Sequence, residues 1–250
     1  MRQILTIAVM LLALADSQPA FAEPLLLSGS STVQKLVLEP AQKALEKKTG
    51  VVINSSGAGT INGVKALMNR EVAAALASCS LDLVFAETGV PTEGTFQEHV
   101  ISQDAVVAIV HPGNTVKGLT LAQLAGIHSG KITNWKEVGG PDNRIVVVVP
   151  PKSSGTRAFL QDAMMQGAAF VGSAYVTVTD REAIDIVEKS PIAIAMLSEG
   201  FVRINRKKVK TVKTPPFKRQ LSIITRDEPS PALKSVITFL KSKEAKKLFR

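Results

Sequence analysis

Ser153-Ser154-Gly155-Thr156-Arg157 is the stretch on which the reading of this chain depends. The apolar run Ile145 to Val149 precedes it, and an apolar-periodic segment, Ala158 to Met165, follows. Such a pattern predicts strand, tight turn and helix. The first N–H groups of a helix lack intrahelical partners and sit at the positive end of its dipole, so an anion is stabilised there. Two readings fit the hydroxyls of this turn. Ser154 or Thr156 serves only as an N-cap, or the turn presents donors to a bound anion. Repetition favours the second, because Ser28 to Thr32 and Ser55 to Thr60 also lead from an apolar run into a helical pattern.

The rest of the chain continues the alternation. Strands are expected at Leu25 to Leu27, Val51 to Ile53, Ala73 to Leu76, Asp104 to Val110, Ile192 to Met196 and Leu221 to Thr225. Helical spacing runs through Val33, Leu36, Val37, Ala41, Ala44 and Leu45, with Pro40 either kinking that helix or starting a second. Further helices are expected after Thr60, over Thr120 to Leu124 and Arg181 to Val187, and in a tail from Leu233. Strands alternating with helices imply an α/β protein with mainly parallel sheets. Ligands of such sheets lie outside the carboxyl ends of the strands, where all three Gly/Ser/Thr turns fall.

At the N-terminus, Arg2, the apolar run Ile4 to Leu14 and Ala20-Phe21-Ala22 form a signal-peptide pattern, with cleavage expected after Ala22. The apolar run is too short to span a bilayer, and no cysteine near the cleavage site offers a lipid anchor. The mature chain is expected to be a soluble periplasmic monomer. Cys79 is the single cysteine, which excludes an intramolecular disulfide. The formal net charge is +9, but residues 201–250 hold 15 Lys and Arg against 3 Asp and Glu. The segment Arg203 to Arg219 has no acidic residue. It reads either as a solvated basic surface or as a field that concentrates anions near a cleft. Export, one Trp, one Tyr and 4% aromatics weigh against nucleic acid, whose bases need stacking surfaces.

Several chemistries lack their residues. There is no P-loop and no nucleophile elbow. His99, His111 and His128 have no partner at metal-ligand spacing. Cys79 has no nearby His to act as its base. Neither catalysis, a metal nor a cofactor is implied.

Further motifs carry a resemblance. Ser28-Gly29-Ser30-Ser31-Thr32-Val33 and Gly57-Ala58-Gly59-Thr60 are joined by Gly130-Lys131-Ile132-Thr133-Asn134-Trp135 and Val138-Gly139-Gly140-Pro141-Asp142. With Ser154-Gly155-Thr156-Arg157, they resemble the phosphate-binding proteins of ABC importers, which have the type 2 periplasmic binding fold. The likeness spans nearly the whole mature chain. It implies two α/β lobes, each a mainly parallel sheet flanked by helices, that bury an anion between them. Carried over by position, the anion ligands are Ser31, Thr32, Thr60, Ser78, Ser154, Gly155 and Thr156. The implied partners are phosphate or a related oxyanion and the importer's membrane subunits.

Two departures stand out. The family's arginine four residues before the Ser of Ser-Gly-Thr is Pro150 here. Its acidic residue opening the third strand is Ala73, and Ser78-Cys79 closes that strand where the family has an Asp or a Ser-Arg pair. Lys152 and Arg157 are candidate substitutes for the lost charge, though neither occupies the matching position. Without an acidic acceptor near Ser78, the site is expected to separate phosphate from sulfate poorly. Lobe one is expected at 23–108 plus 221–250 and lobe two at 109–220. A second class of function, an interaction or sensory protein with a degraded pocket, also fits the departures.

Overall fold

The computed structural model describes residues 23–89 and 95–249. The expected signal peptide, residues 1–22, lies outside them. Among the described residues, eight strands form one sheet. They are β1 (Leu25–Gly29), β2 (Ile53–Ser56), β3 (Ala74–Ala77), β4 (Phe96–Val110), β5 (Val146–Val149), β6 (Tyr175–Val176), β7 (Ala193–Ser198) and β8 (Lys210–Arg226). Their order is β2-β1-β3-β8-β4-β7-β5-β6. At each end the pairing is parallel: β1 with β2 and β3, and β5 with β6 and β7. In the middle the long strands β4 and β8 run antiparallel to each other and to their outer neighbours β7 and β3.

Among the described residues four apolar cores pack against the sheet, and two of them divide the central strands along their length. One gathers Leu27, Val37, Leu76, Ile101, Leu221 and Ile223, and another gathers Val106, Ala108, Trp135, Val149, Leu160 and Phe217. Thus β4 changes core between Ile101 and Val106, and β8 between Phe217 and Leu221. The result is two lobes joined by the same pair of strands, as the resemblance implies.

Helices follow the strands closely. β1 feeds α1 (Ser31–Val33), a π-helical segment Gln34–Leu38 and α2 (Glu39–Thr49) without a break. Pro40 lies in the first turn of α2. Proline has no N–H to give and crowds the carbonyl one turn back. The π segment widens the helix just before it, with Glu39 N–H donating to the Gln34 carbonyl. β2 leads to α3 (Thr60–Met68) and β3 to α4 (Leu81–Thr88). In the second lobe α5 (Leu121–Ser129) precedes β5, which leads to α6 (Gly155–Ala163). β6 leads to α7 (Asp180–Lys189), β7 to α8 (Glu199–Ile204), and β8 to α9 (Pro231–Lys241) and α10 (Lys243–Lys246). None of the described helices is long and apolar enough to cross a membrane.

Some elements differ from the sequence reading. β2 lies further along than Val51 to Ile53, because Ser55 and Ser56 pair alongside Leu27 and Ser28. β4 and β8 are much longer than expected. The outer half of β8 lies inside the basic run, where buried Val212, Phe217 and Arg219 alternate with exposed Thr211, Lys213 and Lys218. That stretch is therefore a half-buried strand and not a wholly solvated surface. The tryptophan loop serves packing. Trp135 is fully buried, and its indole N–H donates to the Ile192 carbonyl at 3.0 Å.

Candidate functional site

The turns after β1, β2 and β5 meet at one cavity of about 60 Å³. Close backbone approach assembles it. A Cβ on Gly29, which has φ 143°, would stand 2.2 Å from the Leu76 carbonyl oxygen, so only glycine lets β1 turn into α1 beside β3. A Cβ on Gly155 would stand 2.5 Å from Thr60 Oγ1 and 2.7 Å from Ser78 Oγ. Gly155 belongs to the second lobe and the two hydroxyls to the first, so the lobes touch across the cleft. The Ile61 N–H, in the first turn of α3, donates to the Ser153 carbonyl at 3.1 Å across the same gap.

All seven residues assigned to the anion by position line this cavity: Ser31, Thr32, Thr60, Ser78, Ser154, Gly155 and Thr156. The two readings of Ser154 prove compatible. Its Oγ accepts the Thr156 N–H at 3.2 Å and caps α6, and a serine hydroxyl that accepts still has its own proton to give. Thr60 Oγ1 accepts the Ser78 N–H at 3.2 Å and lies 3.5 Å from Ser78 Oγ. Among the described residues lining the cavity there is no Lys or Arg.

Lys152 and Arg157 are not brought to it. They line a separate cavity of about 400 Å³ with Glu87 and Phe170. Arg157 folds back on its own turn, with Nη1 donating to the Pro150 carbonyl at 3.0 Å and the guanidinium 4.8 Å above the Phe170 ring.

Three charged residues near the cavity were not assigned to it from the sequence. Asp180, the first residue of α7, lines it and accepts from Ser31 Oγ at 3.2 Å across the cleft. Burial pushes this carboxyl above the usual Asp range; Arg219 and the Ser31 hydroxyl oppose the shift, and Asp104 adds to it. Arg219 lies behind the lining. Its Nε and Nη2 donate to Asp104 Oδ2 at 3.0 and 2.7 Å, and Ser198 Oγ donates to Asp104 Oδ1 at 2.8 Å. Arg219 and Asp104 stand opposite each other in the register of β8 and β4. The signal for this pair was an acid opening an otherwise apolar strand, since a buried charge requires a partner. Cys79 is buried, and its thiol is pushed up to about 12 by loss of water, so it is inert as a nucleophile.

The PBP superfamily domain matches residues 15–244. The chain belongs to the PBP superfamily. Within it, the chain is 29% identical over 238 residues to the phosphate-binding protein PstS of Bacillus subtilis, covering 89% of this chain and 77% of that protein. A putative phosphate ABC transporter substrate-binding protein from Clostridium perfringens, crystallised with bound phosphate, is 28% identical. It superposes with a TM-score of 0.80 over 90% of this chain and 96% of that one. An ABC-type phosphate transport receptor from Vibrio cholerae is also 28% identical, with a TM-score of 0.71 over the same shares. The two-lobed α/β fold of this superfamily member is the one the resemblance implied.

Proposed function

We propose that this chain is an exported solute-binding protein that captures phosphate between its lobes and delivers it to the membrane subunits of an ABC importer. The observation that carries the reading is the cavity itself. Turns from both lobes close on it, hydroxyls and helix N-termini line it, and no Lys or Arg is among the described residues that line it. At roughly 10–15 Å³ for each water-sized place, its volume of about 60 Å³ suits the oxygens of one tetrahedral anion. Helix N-termini and hydroxyls stabilise such an anion without a matched cation. No observation favours the alternative of a degraded pocket, and all seven residues assigned to the anion line this one cavity.

Asp180 changes the expected specificity. A phosphate that carries a proton can donate it to this carboxylate as a second hydrogen bond beside that of Ser31, whereas fully ionised sulfate has no proton to give and faces the carboxylate as a like charge. Losing one hydrogen bond at a buried carboxylate costs roughly 1–3 kcal/mol, so phosphate is favoured by about 5- to 150-fold. The poor discrimination expected from Ser78-Cys79 alone is therefore replaced by selection through the second lobe. Delivery to an importer draws support from the ABC-type receptors with which this chain superposes along its length.

Calorimetry on the chain beginning at Glu23 tests the reading. Phosphate should bind 1:1 at pH 8, and sulfate more weakly, gaining as pH falls and Asp180 takes up a proton. Absence of heat with both anions would refute it. Sequencing of exported protein should return Glu23 first; an intact Met1 would contradict the processing step.

A further inference from the structure

We propose that Arg219 is a positioning residue that sets the polarity of the cavity. It holds the Thr156 and Thr32 hydroxyl oxygens as acceptors, so that their protons face the anion. This inference rests on the reading that the cavity takes an anion.

Arg219 does not line the anion cavity. It lines a different one, of about 380 Å³, with Cys79, Gln103 and Lys218. From there Nη1 donates to Thr156 Oγ1 at 2.7 Å and to the Ser78 carbonyl at 3.2 Å, while Nη2 reaches Thr32 Oγ1 at 3.4 Å. A threonine hydroxyl has one proton and two lone pairs. Left alone, it can turn a lone pair toward the cavity and repel an anion. Guanidinium offers only donors, so each threonine it touches must accept from it. The threonine proton is then aimed elsewhere, and both of these residues face the cavity.

Thr32 belongs to the first lobe and Thr156 to the second, so one guanidinium orients donors on both sides of the cleft. It can do so because it stands on the strand pair that joins the lobes. Asp104 fixes it there, opposite in register and itself held by Ser198. Asp104 also balances the charge of Arg219, so the pair adds direction to the site rather than net charge. The planar fork reaches Asp104, Ser78, Thr156 and Thr32 together, which an ammonium on a single stem does not match.

The test is a coupling measurement by phosphate calorimetry on wild type, Thr156→Val, the paired change Asp104→Asn with Arg219→Gln, and all three changes together. The paired change removes both buried charges at once. Thr156→Val and the paired change should each weaken binding by about 10- to 100-fold. Together they should cost no more than about threefold beyond the larger single effect, because each removes the same oriented hydroxyl. Losses that multiply would overturn the proposal. If the paired variant does not fold, Arg219→Lys decides: it keeps the charge beside Asp104 but loses the fork. It should bind phosphate at least about 10-fold more weakly with a melting temperature near that of wild type. Unchanged affinity would overturn the proposal. Wild type that binds neither phosphate nor sulfate would instead remove the anion reading beneath it.

Discussion

Two cavities flank the N-terminal turn of α6, and they are built on opposite plans. One, of about 60 Å³, is lined by hydroxyls and helix N-termini. Its neighbour, of about 400 Å³, holds Lys152, Arg157 and Glu87. By charge alone the neighbour would be the anion site; the proposed reading places the anion in the smaller cavity instead. Arg157 gives an N–H to the Pro150 carbonyl and lays its guanidinium on Phe170. The smaller cavity is lined from both lobes by short hydroxyl side chains and the backbone of helix N-termini. Short, preorganised donors lose little entropy on binding, whereas long cationic side chains must be ordered.

The largest effect that bears on this contrast is steric. Gly155→Ala places a methyl against Thr60 Oγ1 and Ser78 Oγ across the cleft. Both contacts are well inside ordinary packing distance, so the lobes can no longer close. Phosphate affinity should fall by more than about 100-fold, a loss of roughly 2.7 kcal/mol or more. The ligand-free fold should hold, because Gly155 is the first residue of α6 and its added methyl meets these hydroxyls only across the cleft. Calorimetry and melting curves check both halves; unchanged affinity means that the lobes do not close on this cavity.

Next is Ser154→Ala. It removes one hydrogen bond to a charged ligand, worth roughly 1.5–3 kcal/mol or about 10- to 150-fold in affinity. The lost cap lowers fold stability by about 1 kcal/mol. A drop in melting temperature with no change in affinity would leave Ser154 as a cap alone.

Asp180→Asn acts on selectivity. It should narrow the phosphate preference over sulfate by about 5- to 150-fold at pH 8, the value of one hydrogen bond lost at a buried carboxylate. It has a second signature without ligand. The raised pKa of Asp180 means that the folded chain holds this proton more tightly than the unfolded chain does. Stability is therefore full below the unfolded value of about 3.9 and declines as pH rises through the folded value. The variant escapes that decline. It should melt above wild type at pH 8, with the gap closing toward pH 4. A variant that melts lower at pH 8 would show that ionised Asp180 stabilises the fold.

The smallest effect belongs to the neighbouring cavity. Lys152→Ala and Arg157→Ala should each change phosphate affinity by less than about threefold, the scale of an exposed ionic contribution. A tenfold loss from either would move the anion's charge partner into that cavity.

Much of this site was legible in the sequence. Strand, hydroxyl-rich turn and helix recur three times, and periodicity places those turns at the same side of a parallel sheet. The seven assigned ligands came from the resemblance, position by position; six lie on those turns and Ser78 follows β3, and all seven line one cavity. Arg219 was hidden because its neighbours are cations, and a run of cations reads as solvated. Only the crossing of β8 over to β4, with Asp104 opposite in register, takes it out of water. Asp180 was hidden differently. An acidic residue just after a threonine cap suits any helix N-terminus, so nothing local shows that the cap faces a cleft. The length of β8 was obscured by Pro215 and Pro216, which lie where β8 leaves the register of β4 between Val212 and Phe217. Proline is tolerated in a sheet at such an irregularity.

The most direct measurement is a crystal structure of the chain from Glu23 grown with phosphate, because it locates the anion in one cavity or the other. The account predicts a tetrahedral anion enclosed by both lobes, within hydrogen-bond distance of Thr32, Thr60, Ser154 and Thr156, with one oxygen facing Asp180. An anion held instead by Lys152 and Arg157, with the hydroxyl-lined cavity empty, would contradict it.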